Sequence, residues 1–229
     1  MNKNNADNAY NHTLFEVLER KHICLFYDSK QDLLDLLIPY FKAGIESNAF
    51  CVWITTEQLG VEGAKEALGK AVKDLDSCIE KGQLEIIDYK NWYLRSGKFN
   101  SGEVLKGWAE KEKLAKQRGF HKLRVSGDMS WLSKGDWNAW VAYEKEVDEV
   151  VDRSEMTALC TYTLANHDVV EMFILSNHHR IAFSNKNRQW HILKNVKLNN
   201  LLENIKYFLD DYGNGTPGDK SPPQSKGTV

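Results

Sequence analysis

Apolar residues occur in this chain as short runs that alternate with stretches where they recur every three or four positions. His22-Ile-Cys-Leu-Phe-Tyr is a compact run of the length a buried parallel strand needs, and Asp28 to Gln31 break it. Leu33, Leu34, Leu37, Ile38, Phe41 and Ile45 then return at helical spacing. Ser29 followed three residues later by Asp32 predicts a capping box at that helix's N-terminus. Strand, short loop and helix make the first unit of an α/β sheet, and ligands in such folds bind beyond the C-terminal ends of the strands.

The alternation continues. Phe50-Cys-Val-Trp-Ile-Thr reads as a second strand, and a helical region over about 61–80 follows, with a break at Gly69. Leu84-Glu-Ile-Ile-Asp is a third strand, and Tyr89 to Asn100 reads as a long aromatic loop. A helix opening at Ser101 or Gly102 ends at Gly119, a common role for glycine. Leu123-Arg-Val-Ser is a fourth strand, and Asp136 is placed to cap a long helix carrying Trp137, Trp140, Val141, Val147 and Val151. Thr157 to Leu164 is a fifth strand, Val169 to Leu175 a short helix, and Arg180–Phe183 with Trp190–Leu193 a closing hairpin. Residues 1–11 are expected to form a disordered leader, with a short amphipathic helix after them. A last helix is expected over 198–212, and a flexible Gly/Pro/Ser/Lys-rich tail over 213–229. The pattern predicts an α/β fold with a mainly parallel central sheet and helices on both faces, in a single domain over 12–212.

Composition narrows the function. Near-balanced charge, −2 overall, and the lack of a Lys/Arg-rich run argue against direct nucleic-acid binding. No apolar run approaches a membrane span, and the first residues lack the apolar core of a signal peptide. Cys24, Cys51, Cys78 and Cys160 stand far apart with no Cys-x-x-Cys pair, the usage of a reducing compartment, so a cytoplasmic protein is expected.

The loop after the first strand has no glycine before Gly44, so the Gly-x-x-x-x-Gly-Lys turn that cradles phosphates is missing. His22 and Cys24 lie two apart and share one strand face, as a metal pair would, but they need further ligands from elsewhere. A core reading of the pair is therefore preferred, and no metal or cofactor is expected. Cys24 is badly placed for attack in mid-strand. Asp128 and Trp131, in Gly127-Asp-Met-Ser-Trp, follow the fourth strand, Glu57 follows the second, and Tyr162 lies near the end of the fifth. All four stand where such sheets keep ligands. His178 and His179 are adjacent, point in different directions and are read as structural. The tryptophans clustered in the middle of the sequence read as packing, with a pocket wall as the rival use.

His22-Ile-Cys-Leu-Phe-Tyr, Cys51-Val-Trp-Ile with Glu57, Arg124-Val-Ser-Gly-Asp-Met-Ser-Trp, Leu159-Cys-Thr-Tyr and the later His178 together resemble the MEDS domain, a sensory domain of methanogen and methylotroph regulators. The resemblance covers roughly residues 15–195. It implies a RecA/KaiC-like three-layer sandwich that has lost its P-loop, with Glu57 and Asp128 where such ATPases keep catalytic or metal-binding acids. It also implies a non-catalytic sensor of small hydrocarbon derivatives, not an enzyme, that signals through a partner protein such as a kinase or transcription regulator. The sequence shows no output module after its last helix, so a stand-alone sensor is expected, with a homodimer left open. The expected ligand-binding residues are His22, Cys24, Tyr27, Glu57, Asp128, Trp131 and Tyr162. The rival readings are a protein-interaction module built on an ATPase fold and a residual nucleotide-binding protein.

Overall fold

The computed structural model describes residues 21–186 and 189–194. The expected leader, the helix after it, the last helix and the tail lie outside those residues. β1 (His22–Tyr27), β2 (Phe50–Thr55), β3 (Leu84–Asp88), β4 (Leu123–Asp128), β5 (Met156–Thr163), β6 (Ile181–Lys186) and β7 (Gln189–Lys194) form one sheet in the order β3-β2-β4-β5-β1-β6-β7. Every pairing is parallel except β6 with β7, which is the closing hairpin read from the sequence. β1, β2 and β4 are buried along their whole length, which is why they appear as unbroken apolar runs instead of alternating ones.

α1 (Lys30–Glu46) starts with the expected box. Ser29 Oγ accepts from the Asp32 N–H, and the Asp32 carboxylate accepts from the Ser29 N–H at 3.0 Å. The helix packs Leu33, Leu37, Tyr40 and Phe41 onto one sheet face, against Ile23, Leu25, Trp53 and Leu159. α2 (Gly60–Gly69) and α3 (Leu75–Glu80) complete that layer, and Gly69 ends α2 as expected.

α4 (Tyr89–Tyr93), α5 (Ser101–Gln117), α6 (Trp137–Asp152) and α7 (Val169–Asn177) are the remaining α-helices among the described residues. The expected loop over 89–100 therefore begins with a helical turn. Asp88 caps it by accepting from the Lys90 N–H, and Tyr89, Trp92 and Tyr93 are buried from it. Asp136 precedes α6, but its carboxylate accepts from Ser133 Oγ and not from a helix N–H. Ring contacts join Trp92 to Trp108, Tyr93 to Trp131 and Trp140, and Phe99 to Tyr143. The middle tryptophans thus form an aromatic layer.

Candidate functional site

β1 lies between β5 and β6, and residues two apart on a strand share a face. His22 and Cys24 therefore point the same way, and in the parallel register Cys24 stands opposite Cys160 of β5. α6 crosses this face. Its Trp140, Glu144, Val147 and Val151 are buried at helical spacing, so Glu144 holds a core position in an otherwise apolar stripe. His179 arrives from the turn between α7 and β6, buried to 1% exposure.

These elements bring four side chains together. His22 Nε2 is 3.4 Å from Glu144 Oε2, and His179 Nε2 is 3.3 Å from the same oxygen. Cys160 Sγ is 3.7 Å from His22 Nε2 and 3.8 Å from Glu144 Oε2. The outer atoms are held as well. His22 Nδ1 lies 3.2 Å from Asp148 Oδ1, and His179 Nδ1 lies 2.7 Å from the Leu175 carbonyl oxygen. The Tyr162 hydroxyl donates to Glu144 Oε1 at 2.5 Å and accepts from Trp140 Nε1 at 3.2 Å.

Burial resists charge on every one of these groups. For His22 that resistance is outweighed by the Asp148 and Glu144 carboxylates, which raise its pKa. Burial likewise works against Glu144, but the His179 and His22 rings hold its carboxyl well below the usual range. Burial, and then the charge on His22, push His179 down towards the neutral form. Burial and the Glu144 charge push the Cys160 thiol well up. A carboxylate and two imidazole rings are thus fixed beneath a helix, out of water. Beside Cys160 is a void of about 10 Å³, lined chiefly by Tyr93, Trp108, Tyr143, Met129 and Ala158 and large enough for about one water molecule.

The residues expected from sequence separate into three places. His22, Cys24 and Tyr162 lie on the α6 face. Tyr27 and Asp128 lie on the α1 face, where Asp128 Oδ2 accepts from the Tyr27 hydroxyl at 2.7 Å and from Thr161 Oγ1 at 2.8 Å. Trp131 packs beyond the sheet against Tyr93 and Trp140, and Glu57 is an exposed side chain loosely paired with Lys90 at 3.8 Å. These seven residues do not line one cleft. The cluster gathers instead around the starts of β1 and β6 and the middle of β5, away from the C-terminal strand edge. His179, read from the sequence as structural, is aimed inward by the turn after α7 and joins the buried cluster. The sequence does not single out Glu144 or Asp148, and Cys160 figures there only among the four separated thiols.

A family model described as MEDS, the methanogen/methylotroph, DcmR sensory domain, matches residues 21–180, a span that contains the whole cluster. The chain belongs to the MEDS family. The transcriptional repressor DcmR of Methylorubrum extorquens is 27% identical to this MEDS domain over 150 residues. That match covers 64% of the chain and 53% of the repressor, so the chain spans about half the length of this curated relative. A KaiC-like protein from Pyrococcus horikoshii OT3 superposes with a TM-score of 0.50 at 14% identity, over 75% of this chain and 76% of that one. An uncharacterized Pyrococcus horikoshii protein solved in complex with an unknown peptide gives 0.54 at 10% identity, over 76% and 82%. The MEDS domain is therefore a RecA/KaiC-like sandwich. At the start of α1 the Asp32 carboxylate accepts from the Ser29 N–H and hydroxyl, so a negative charge already stands at this helix N-terminus.

Proposed function

We propose that this MEDS domain is a non-catalytic sensor of a small, largely apolar molecule, a simple hydrocarbon derivative, and that it reports occupancy to a partner protein such as a kinase or transcription regulator. The observation that carries the reading is the void between the aromatic wall and Cys160, with a buried polar cluster at its side. The family's sensory description and the repressor relative support it.

A molecule larger than water must push α5 and α6 away from the sheet to enter, because interiors are close-packed. α6 carries Glu144, so such a movement also changes the cluster. That links occupancy to a shift of a surface helix, which a partner can read. Cys160 is the cluster's member at this seat, with His22 and Tyr162 behind it through Cys160 and Glu144, while Tyr27 and Asp128 lie on the opposite sheet face. Cys160 is a poor nucleophile here, since burial disfavours its thiolate. A nucleotide-binding role is disfavoured by the Asp32 carboxylate, which would repel a phosphate.

The test is a thermal-shift and tryptophan-fluorescence titration with chlorinated methanes, one- to three-carbon alcohols and methylamines. Ala158→Val, which fills the void, serves as the blocked variant. At least one compound is expected to give a saturable shift in Tm and in emission, lost in the filled variant. Absence of any saturable response, or an equal response in Ala158→Val, overturns the reading.

A further inference from the structure

Two kinds of distance occur in the buried cluster. The outer contacts, Tyr162 to Glu144 Oε1 at 2.5 Å, His179 Nδ1 to the Leu175 carbonyl at 2.7 Å and His22 Nδ1 to Asp148 Oδ1 at 3.2 Å, have hydrogen-bond lengths. The inner contacts are longer: 3.3 and 3.4 Å from the imidazole Nε2 atoms to Glu144 Oε2, and 3.7 and 3.8 Å from Cys160 Sγ to His22 Nε2 and Glu144 Oε2. Zinc bonds of about 2.0–2.1 Å to nitrogen and oxygen and about 2.3 Å to sulfur give tetrahedron edges of about 3.3 Å between N and O ligands and about 3.6 Å to sulfur. The inner contacts have the lengths of ligand–ligand edges.

We propose that His22, Glu144, Cys160 and His179 bind a divalent first-row transition-metal ion, zinc in the first instance, through two imidazoles, a carboxylate and a thiolate. Four observations converge on this site. All the donor atoms lie within 4.8 Å of one another, so a small inward movement of the farthest pair brings every one within reach of a single ion. Both histidines present Nε2 inward while Nδ1 is held from outside, His22 by the Asp148 carboxylate and His179 by a backbone carbonyl. That arrangement fixes ring orientation in metal sites. The free oxygen of Glu144 is steadied by Tyr162, backed in turn by Trp140. Finally, the thiolate and carboxylate match the charge of a dication in a site closed to solvent, as burial requires. Four protein ligands in a closed shell describe a site that holds its ion and does not turn over substrate. The proposal stands apart from the sensor reading, since the site can hold an ion whether or not the neighbouring void takes a ligand.

The experiment uses the full chain, purified anaerobically without chelator or metal-affinity resin. Bound metals are measured by plasma mass spectrometry, and the chelator-stripped protein is then titrated with Zn²⁺ and Co²⁺. About one equivalent is expected, with cobalt giving the intense visible bands of a tetrahedral site and a near-ultraviolet thiolate charge-transfer band. Cys160→Ser removes the charge-transfer band, and His179→Ala and Glu144→Gln weaken binding by at least about tenfold. Cys78→Ser, a free cysteine remote from the cluster, keeps both band and stoichiometry. Circular dichroism follows the fold of each variant. If a ligand variant does not fold, Asp148→Asn at the half-buried rim is the reserve, with affinity lowered by about 10- to 100-fold. A folded chain that takes up neither ion overturns the proposal. So does uptake undiminished by both Cys160→Ser and His179→Ala, or by Asp148→Asn where those two do not fold.

Discussion

Tyr162 and Glu144 share the shortest hydrogen bond in the buried cluster, 2.5 Å from hydroxyl to Oε1, on a carboxylate with no exposure to water. The same hydroxyl is the acceptor for Trp140 Nε1, so removing it strips one partner from an ionised group and another from an indole. Tyr162→Phe is expected to lower stability by about 1.5–3 kcal/mol, the range for hydrogen bonds to buried charges. Urea unfolding measures it. A loss under about 0.5 kcal/mol would mean that the carboxylate finds another donor, contrary to the geometry described.

Asp128 gives a pH signature on the opposite face. Burial raises its pKa, and the hydrogen bonds from Ser130, Tyr27 and Thr161 only partly offset this. With a folded pKa above the unfolded value, its stabilising contribution is complete at low pH and is lost as pH rises through the folded value. Asp128→Asn keeps the shape without the charge. Relative to the parent chain it should gain stability between acid and neutral pH, as measured by unfolding at a series of pH values. Asp128→Ala, which strands the Tyr27 and Thr161 hydroxyls, should instead cost about 1–3 kcal/mol.

Gly127 makes a sharper geometric demand. A Cβ there would stand 1.9 Å from the Tyr93 hydroxyl oxygen, with the ring carbon that bears it at 3.1 Å. Gly127→Ala should destabilise by about 1–3 kcal/mol through overpacking. Tyr93→Phe in the same chain removes the colliding atom and should recover a part of that loss. A double-mutant cycle with no coupling beyond about 0.5 kcal/mol would refute the contact.

Glu57 supplies the contrast. Its side chain is 75% exposed and its partner Lys90 is 3.8 Å away. Glu57→Ala should leave stability within about 0.5 kcal/mol, as for other loose surface pairs. A larger loss in thermal unfolding would show a buried role that the structure does not give it.

The fold was largely legible because its strands are buried on both faces and its helices on one. Runs such as His22–Tyr27 and Phe50–Thr55 could hardly be anything else, and Ser29 with Asp32 marked the helix start. The turn over Tyr89–Tyr93 was not, since its aromatic side chains are held by packing against α5 and α6 and not by a local helical pattern. In the candidate site, His22 and Tyr162 were visible from strand position. Glu144 was hidden in a helix full of acids and bases, where a charged residue reads as solvent-facing. The usable signal was its spacing: Trp140, Glu144, Val147 and Val151 fall on one stripe, so the glutamate occupies a core position. His179 was hidden by its neighbour His178, because sequence cannot say which way a turn directs each ring. The C-terminal strand edge drew attention by the general habit of α/β folds, whereas the buried polar groups collect nearer the strand starts.

The cluster also constrains how the chain assembles. His22 and Cys160 are 138 positions apart, and His179 comes later still, so no contact of this centre forms through local structure. Bringing such distant segments together carries the loop-closure entropy that slows non-local pairing. A nascent chain emerging from the ribosome can form β1 and α1 early, yet it leaves His22 without its companions until the turn after α7 is made. The centre is therefore complete only when β5, β1 and the turn leading into β6 have come together, and its integrity reports that this part of the sheet has closed.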